Sequence, residues 1–278
     1  MQMTMRWFGP DEDKVTLEQI RQVPGVEGVV GALYDVPVGE VWPKEKIQAL
    51  VAQAHNAGLT MEVIESVNIH DAIKIGLPER DRYIANYQQT IRNLADFGVK
   101  VICYNFMPVF DWMKTDMNYR LEDGSLTMAF EKAGIDKTLE QVVAEVLGNS
   151  NGFALPGWEP ERLAQVQALF DSYKDVDDDK LRENLVYFLE RVIPVCEEVG
   201  VKMAIHPDDP PYSIFGLPRI IKNRDDLDWL CNAVDSPANG ITLCTGSIAE
   251  EPQNNVCEIL AEFSRRGRIH FAHVRNIK

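Results

Sequence analysis

The chain has 278 residues, 45% hydrophobic and 26% charged, a composition that excludes disorder as its main state. Its 28 Lys and Arg stand against 43 Asp and Glu, a net charge of −15 that repels nucleic acid and anionic membranes and favours small-molecule or metal ligands. Five cysteines over this length exclude a disulfide-stapled mini-protein and, being odd in number, point to a reducing compartment, most simply the cytoplasm.

Met3–Phe8 is a short apolar run ended by Gly9-Pro10, and the first fourteen residues hold no apolar signal-peptide core. Val26–Leu33 is the next apolar run, and Pro43 opens a helix over Lys44–Asn56. Leu59–Ser66 follows a helix end at Gly58, and Val99–Met107 follows another at Gly98. Between them Ile84, Tyr87, Ile91 and Leu94 give Asp81–Phe97 a helical period. Asp178–Val199 repeats it with Leu181, Leu185, Phe188, Val192, Cys196 and Val199, and ends at Gly200. Val201–His206, Gly240–Cys244 and Arg268–His273 are the last three strand-like runs. No apolar run approaches the about 18–20 residues of a membrane span.

Seven short apolar runs, each introduced by a turn and most separated by a helical segment, predict buried parallel strands with right-handed crossovers. The expected fold is a single (β/α)8 TIM barrel over 1–278. The rival is a doubly wound open sheet, whose dinucleotide form is removed because no GxGxxG follows the first strand. The stretch Asp111–Asp178 departs from the repeat, with polar turns at Glu122-Asp123-Gly124-Ser125, helical patches and Leu155-Pro156-Gly157-Trp158. It reads as an insertion after strand four, on the strand-end side where barrel active sites are built. The chain stops just after the seventh strand, so the expectation is a barrel lacking its last strand–helix unit, truncated at the C-terminus.

Three successive strands end in His206, Cys244 and His273. Imidazole, thiolate and imidazole suit a borderline transition metal, and ligands so far apart in sequence suit an open catalytic site more than a structural zinc module. Taken singly, each reads more often as a hydrogen-bonded structural histidine or a small buried cysteine than as a ligand. Their coincidence on three strand ends is what points to a metal. In strand seven Ile269, Phe271 and His273 share one face and His270 points away.

Other candidates are weaker. His70 follows strand three and reaches the barrel mouth or is a simple loop residue. His55 is a solvated helix residue; Cys103 and Cys196 read as core, Cys231 and Cys257 as helix packing. In His206-Pro207-Asp208-Asp209-Pro210-Pro211 the prolines stiffen a loop whose carboxylates sit just past a ligand, suited to supporting it or to binding hydroxyls. Arg275 and Asn276 follow His273, and arginine is a natural clamp for a substrate carboxylate.

At this point the sequence resembles the mannonate dehydratase family. The matching stretches include Met5-Arg6-Trp7-Phe8-Gly9-Pro10, Gly39-Glu40-Val41-Trp42, Glu65-Ser66 with His70, Ile84-Ala85-Asn86-Tyr87-Gln88-Gln89-Thr90, and Tyr104-Asn105-Phe106-Met107-Pro108-Val109 with Asp111-Trp112. The His206–Pro211 block, Gly216-Leu217-Pro218-Arg219-Ile220 and Cys244-Thr245-Gly246-Ser247 complete the set. The resemblance implies a xylose-isomerase-like TIM barrel with Mn2+ or Fe2+ on His206, Cys244 and His273. It implies a fourth ligand, an aspartate of an eighth strand, and a tyrosine beyond it, both past Lys278. Many relatives carry a histidine pair where this chain has Tyr34-Asp35.

The implied reaction is loss of water from D-mannonate to give 2-dehydro-3-deoxy-D-gluconate in hexuronate breakdown. Within it, Arg275, His70 and Asp209 are the candidate catalytic residues, and Asn105, Asp208 and Asn276 the candidate substrate contacts. A sugar isomerase or epimerase of the same barrel type is the alternative, as is an inactive truncated fragment. A barrel endonuclease would want a basic face that this charge does not supply. No nucleic-acid or membrane partner is expected, and homo-oligomerisation is left open.

Overall fold

The computed structural model describes residues 1–112, 114–131 and 166–277. In chain order its strands are β1 (Met3–Arg6), β2 (Val26–Gly31), β3 (Thr60–Glu65), β4 (Val101–Tyr104), β5 (Asp116–Arg120), β6 (Leu126–Ala129), β7 (Lys202–Ile205), β8 (Asn239–Cys244) and β9 (Ile269–His273). The helices are α1 (Leu17–Arg21), α2 (Lys44–Asn56), α3 (Asp71–Ile75), α4 (Arg80–Ala95), α5 (Val166–Tyr173), α6 (Asp178–Val199), α7 (Arg224–Ala233), α8 (Thr245–Ala249) and α9 (Val256–Arg265).

Seven strands form one parallel sheet in the order β1-β2-β3-β4-β7-β8-β9. Spatial order equals chain order throughout. A doubly wound sheet reverses its winding at a switch point, so that rival is excluded. The sheet also curls. Four strand spacings of about 4.8 Å would put β3 and β9 roughly 19 Å apart in a flat sheet. Instead His273 at the end of β9 hydrogen-bonds Glu65 at the end of β3, at 3.0 Å. The architecture is a half-barrel of parallel strands with helices outside.

The helical stripes do the packing the sequence predicts. Ile84, Tyr87, Ile91 and Leu94 of α4 are buried, as are Leu181, Leu185, Phe188, Val192 and Cys196 of α6. The two helices pack on one another, with the Tyr87 ring edge-on to Phe188 at 5.1 Å. Phe188 also lies 6.2 Å from both Tyr104 of β4 and Phe106 just beyond it, which seats α6 against the sheet. Each such side chain removes apolar surface worth about 1.5–3 kcal/mol. Gly98 and Gly200 take φ of 83° and 73° at the helix-to-strand turns, a conformation a Cβ makes costly. Helices α2 and α6 match the expected ranges, and α4 begins one residue earlier and ends two earlier than Asp81–Phe97.

The segment after β4 differs from expectation. It opens with an antiparallel hairpin, β5–β6, where the sequence reads as polar turns and helical patches. The remainder of the expected insertion up to residue 165, including Leu155-Pro156-Gly157-Trp158, lies outside the described residues. Cys257 is exposed, against its reading as a packing residue, because it falls on the outer face of α9; the other four cysteines are buried. No helix among the described residues is long and apolar enough to cross a membrane.

Candidate metal centre and its cavity

All the parallel strands point their C-terminal ends to one edge. Arg6 ends β1, Glu65 ends β3, Cys244 ends β8 and His273 ends β9, while His206 follows β7 directly. These five, with Asn105, contribute to the lining of a cavity of about 410 Å³. The sheet register pairs Cys244 with His273, which sets thiol and imidazole side by side. The His206 and His273 rings stand 5.1 Å apart. The ligand atoms of His206, Cys244 and His273 all lie within 4.8 Å of one another, a grouping that can hold a metal ion. A second trio, Glu65, Cys103 and His273, meets the same distance and shares His273. As the alternation requires, His270 faces away, with its Nδ1 2.9 Å from the Met203 carbonyl.

Burial alone would raise the Cys244 thiol, but the charge of His206, hydrogen bonds from His206 and His273 and the nearby Arg275 outweigh it and bring it down to about 3. Cys244 is therefore a thiolate at neutral pH, the form that binds metal. The Ser247 hydroxyl lies 3.1 Å from its sulfur. Burial also opposes the charge on Glu65, yet His273 and then Arg6 and His206 hold its carboxyl down at about 2. A carboxylate only accepts, so His273 Nε2 carries the proton toward Glu65; burial opposes the ring's charge, but hydrogen bonds to Cys244 and Glu65 raise it to about 9, and a bound cation would displace the proton shared with Cys244. This carboxylate–histidine pairing orients a ligand and raises its basicity. Glu65→Ala is expected to weaken divalent-metal binding about 10–100-fold in a calorimetric titration, and Glu65→Gln, which keeps an acceptor, to weaken it less. Unchanged affinity in Glu65→Ala would remove Glu65 from that role.

Beside the trio is a charged lattice. Lys114 Nζ donates to Asp209 Oδ1 at 2.6 Å, and Arg275 Nη2 donates to Asp209 Oδ2 at 2.5 Å. Asp209 is held below its usual value: burial opposes its charge, but Lys114 and Arg275 prevail. Glu250 stands 3.6 Å from Lys114 and 3.5 Å from Arg275. Burial first and repulsion from Asp209 second push its carboxyl up to about 7. Gly246 makes room for this crossing, since a Cβ there would meet Arg275 Cγ at 2.7 Å.

The structure gathers some sequence candidates and disperses others. His206, Cys244, His273, Asn105, Asp209 and Arg275 all line the cavity. Asn105 Oδ1 also accepts from the Met107 N–H at 3.2 Å. His70 does not line it: the ring caps α3, accepting from the Ala72 N–H at 3.1 Å, and stacks on Tyr83 at 3.6 Å. Asp208 turns away as well, its Oδ2 accepting the Ile220 and Ile221 N–H groups at 2.6 and 2.9 Å. Asn276 is exposed, and its Oδ1 accepts from the Ile277 N–H. Glu65, Lys114, Arg6 and Cys103 line the cavity without having been singled out for it. Glu65 and Arg6 were findable, because both end strands as the three ligand candidates do.

The sequence profile of the family described as D-mannonate dehydratase (UxuA) matches residues 1–278. A mannonate dehydratase from Lactococcus lactis subsp. cremoris is 66% identical over 278 residues, covering 100% of this chain and 78% of its own length. The crystal structure of mannonate dehydratase from Streptococcus suis serotype 2 superposes with a TM-score of 0.89 at 43% identity, over 100% of this chain and 74% of that one. A xylose isomerase-like TIM barrel protein from Mycobacterium smegmatis, solved with magnesium, aligns at TM-score 0.52 and 13% identity over 99% of this chain and 74% of that one, a likeness of fold. Profile, sequence identity and backbone agree along the whole chain, which therefore belongs to the D-mannonate dehydratase family.

Proposed function

We infer that the protein is a metal-dependent hydro-lyase that converts D-mannonate to 2-dehydro-3-deoxy-D-gluconate in hexuronate catabolism. The observation that carries this reading is the convergence of His206, Cys244 and His273 on one cavity at the C-terminal edge of the sheet. Two imidazoles and a ready-made thiolate fit a borderline divalent ion, and Mn2+ or Fe2+ is the proposed occupant. The five free thiols support a reducing, cytoplasmic setting.

The reaction removes the C2 proton beside the carboxylate and the C3 hydroxide. A bound divalent ion supplies Lewis-acid stabilisation of negative charge on substrate oxygens. The chain's own residues fix the ion and the substrate. His206, Cys244 and His273 would hold the ion, with Glu65 steering His273. Asn105 and Arg275 offer polar groups to the substrate hydroxyls. Asp209 is neutralised by two cations, which suits it to hold Arg275 and Lys114 in place and makes it a poor base.

Incubation with D-mannonate and Mn2+ or Fe2+, beside a chelated control and an aldose control, tests the reading. The expected result is a 2-keto-3-deoxy acid formed from the aldonate only when metal is present. Turnover of the aldose with no reaction of the aldonate would replace the dehydratase by an isomerase.

A further inference from the structure

Among the described residues the cavity is lined by three lysine and arginine side chains, and they differ in one respect. Lys114 and Arg275 both spend their charge on Asp209. Among the described residues Arg6 has no carboxylate within ion-pair distance. Its Nη2 donates to the Tyr34 hydroxyl at 2.7 Å, and its Cζ lies 4.8 Å from the centre of the Phe8 ring. Its Nη1 is buried and has no hydrogen-bond partner among the described residues. Glu65, whose carboxyl Arg6 helps to hold down, is already engaged by His273. A buried guanidinium nitrogen with an unused N–H is unfavourable, which favours a small turn of the guanidinium toward an acceptor that enters the cavity. Arg6 lines the same cavity as the metal-ligand trio, from the end of the first strand.

We propose that Arg6 binds the carboxylate of the sugar-acid substrate through its guanidinium, which Tyr34 and Phe8 hold at the cavity wall. The assignment rests on the dehydratase reading and adds to it the residue that selects an acid over a neutral sugar. It fits the chemistry of the partners: a planar guanidinium, held by a hydroxyl on one nitrogen and an aromatic face, presents a pre-oriented donor to a carboxylate. Arg275, whose charge Asp209 already offsets, is then left to contact hydroxyls.

The test is steady-state kinetics of the metal-loaded protein and its Arg6→Gln variant on D-mannonate, with D-mannitol as competitive inhibitor. D-mannitol shares the hydroxyl chain and lacks the carboxylate. Loss of one charge-assisted contact predicts a KM for D-mannonate raised about 10–100-fold, with D-mannitol inhibition unchanged. Arg6→Lys keeps the charge and loses the fork, so its KM falls between; it carries the same comparison if Arg6→Gln does not fold. Wild-type turnover with an unchanged KM in these variants overturns the role of Arg6 alone. An equal loss of D-mannonate and D-mannitol affinity overturns it too, since that marks general damage to the cavity. Wild-type protein silent on D-mannonate overturns the dehydratase reading and this assignment with it.

Discussion

Cys244→Ala is expected to abolish tight binding of the divalent ion and, with it, dehydratase activity, while leaving the fold intact. The sulfur is one of three ligand atoms within 4.8 Å, and it sits on a strand whose position is fixed by β7 and β9 on either side. Removing a group that merely orients a ligand costs about 10–100-fold in metal affinity, so removing the ligand itself costs more than that. Cys244→Ser separates size from charge. Its hydroxyl fills nearly the same space but stays protonated at neutral pH, where the Cys244 sulfur, at about 3, is ionised. Both variants should therefore lose metal in dialysis against limiting Mn2+, with unfolding temperatures close to wild type. Full metal content and full activity in either would take Cys244 out of the site.

Asp209→Asn is expected to destabilise the protein by about 3 kcal/mol, because it leaves buried positive charge without its partner. Lys114 and Asp209 are both nearly sealed from solvent, with side chains 6% and 7% exposed, so water does little to screen the loss. Glu250 moderates the effect. It lies near both cations, and repulsion from Asp209 is one cause of its raised carboxyl, so it ionises more readily once that charge is gone. The sign of its pH dependence follows. A carboxyl raised to about 7 in the folded protein binds more protons than the unfolded chain between the ordinary glutamate value of 4.5 and 7. Its contribution is therefore full below 4.5 and is lost as pH rises through 7. That loss should shrink in Asp209→Asn. Denaturant melts at pH 5 and pH 8 check both points. A double variant, Lys114→Met with Asp209→Leu, should recover part of the stability, because replacing both members of a buried pair by apolar groups is often neutral. A double variant less stable than the two single changes summed would contradict the account.

Much of this was legible in the chain itself, and for a physical reason. Buried parallel strands are short apolar runs, and glycine at a left-handed turn announces several of them, as Gly98 and Gly200 do. The ends of such strands converge on one edge, which is why His206, Cys244 and His273 could be named together. The same rule extended to β1 and β3 reaches Arg6 and Glu65. Cys103 was harder: in a strand buried on both faces, apolar periodicity does not tell barrel interior from helix-facing side. Neighbouring aspartates show the limit of proximity. Asp209 enters the cavity while Asp208 turns to backbone amides, because successive side chains diverge. His70 lies close to a strand end in sequence, yet its ring serves the first turn of α3. The β5–β6 hairpin left a readable trace, Met117 and Tyr119 alternating with polar residues before Asp123-Gly124, a favoured hairpin turn. Lys114 left none, since its partner is 95 residues away.

The measurement that meets the central claim most directly is a proton NMR spectrum of D-mannonate turned over in D2O by the metal-loaded protein, with the metal chelated before recording. Dehydration breaks the C2–H and C3–O bonds, and the enol that results takes one solvent proton at C3 as the C2 carbonyl forms. The account predicts 2-dehydro-3-deoxy-D-gluconate carrying one deuterium at C3. Recovered aldonate with deuterium at C2 and no loss of water would show an epimerase in place of a dehydratase.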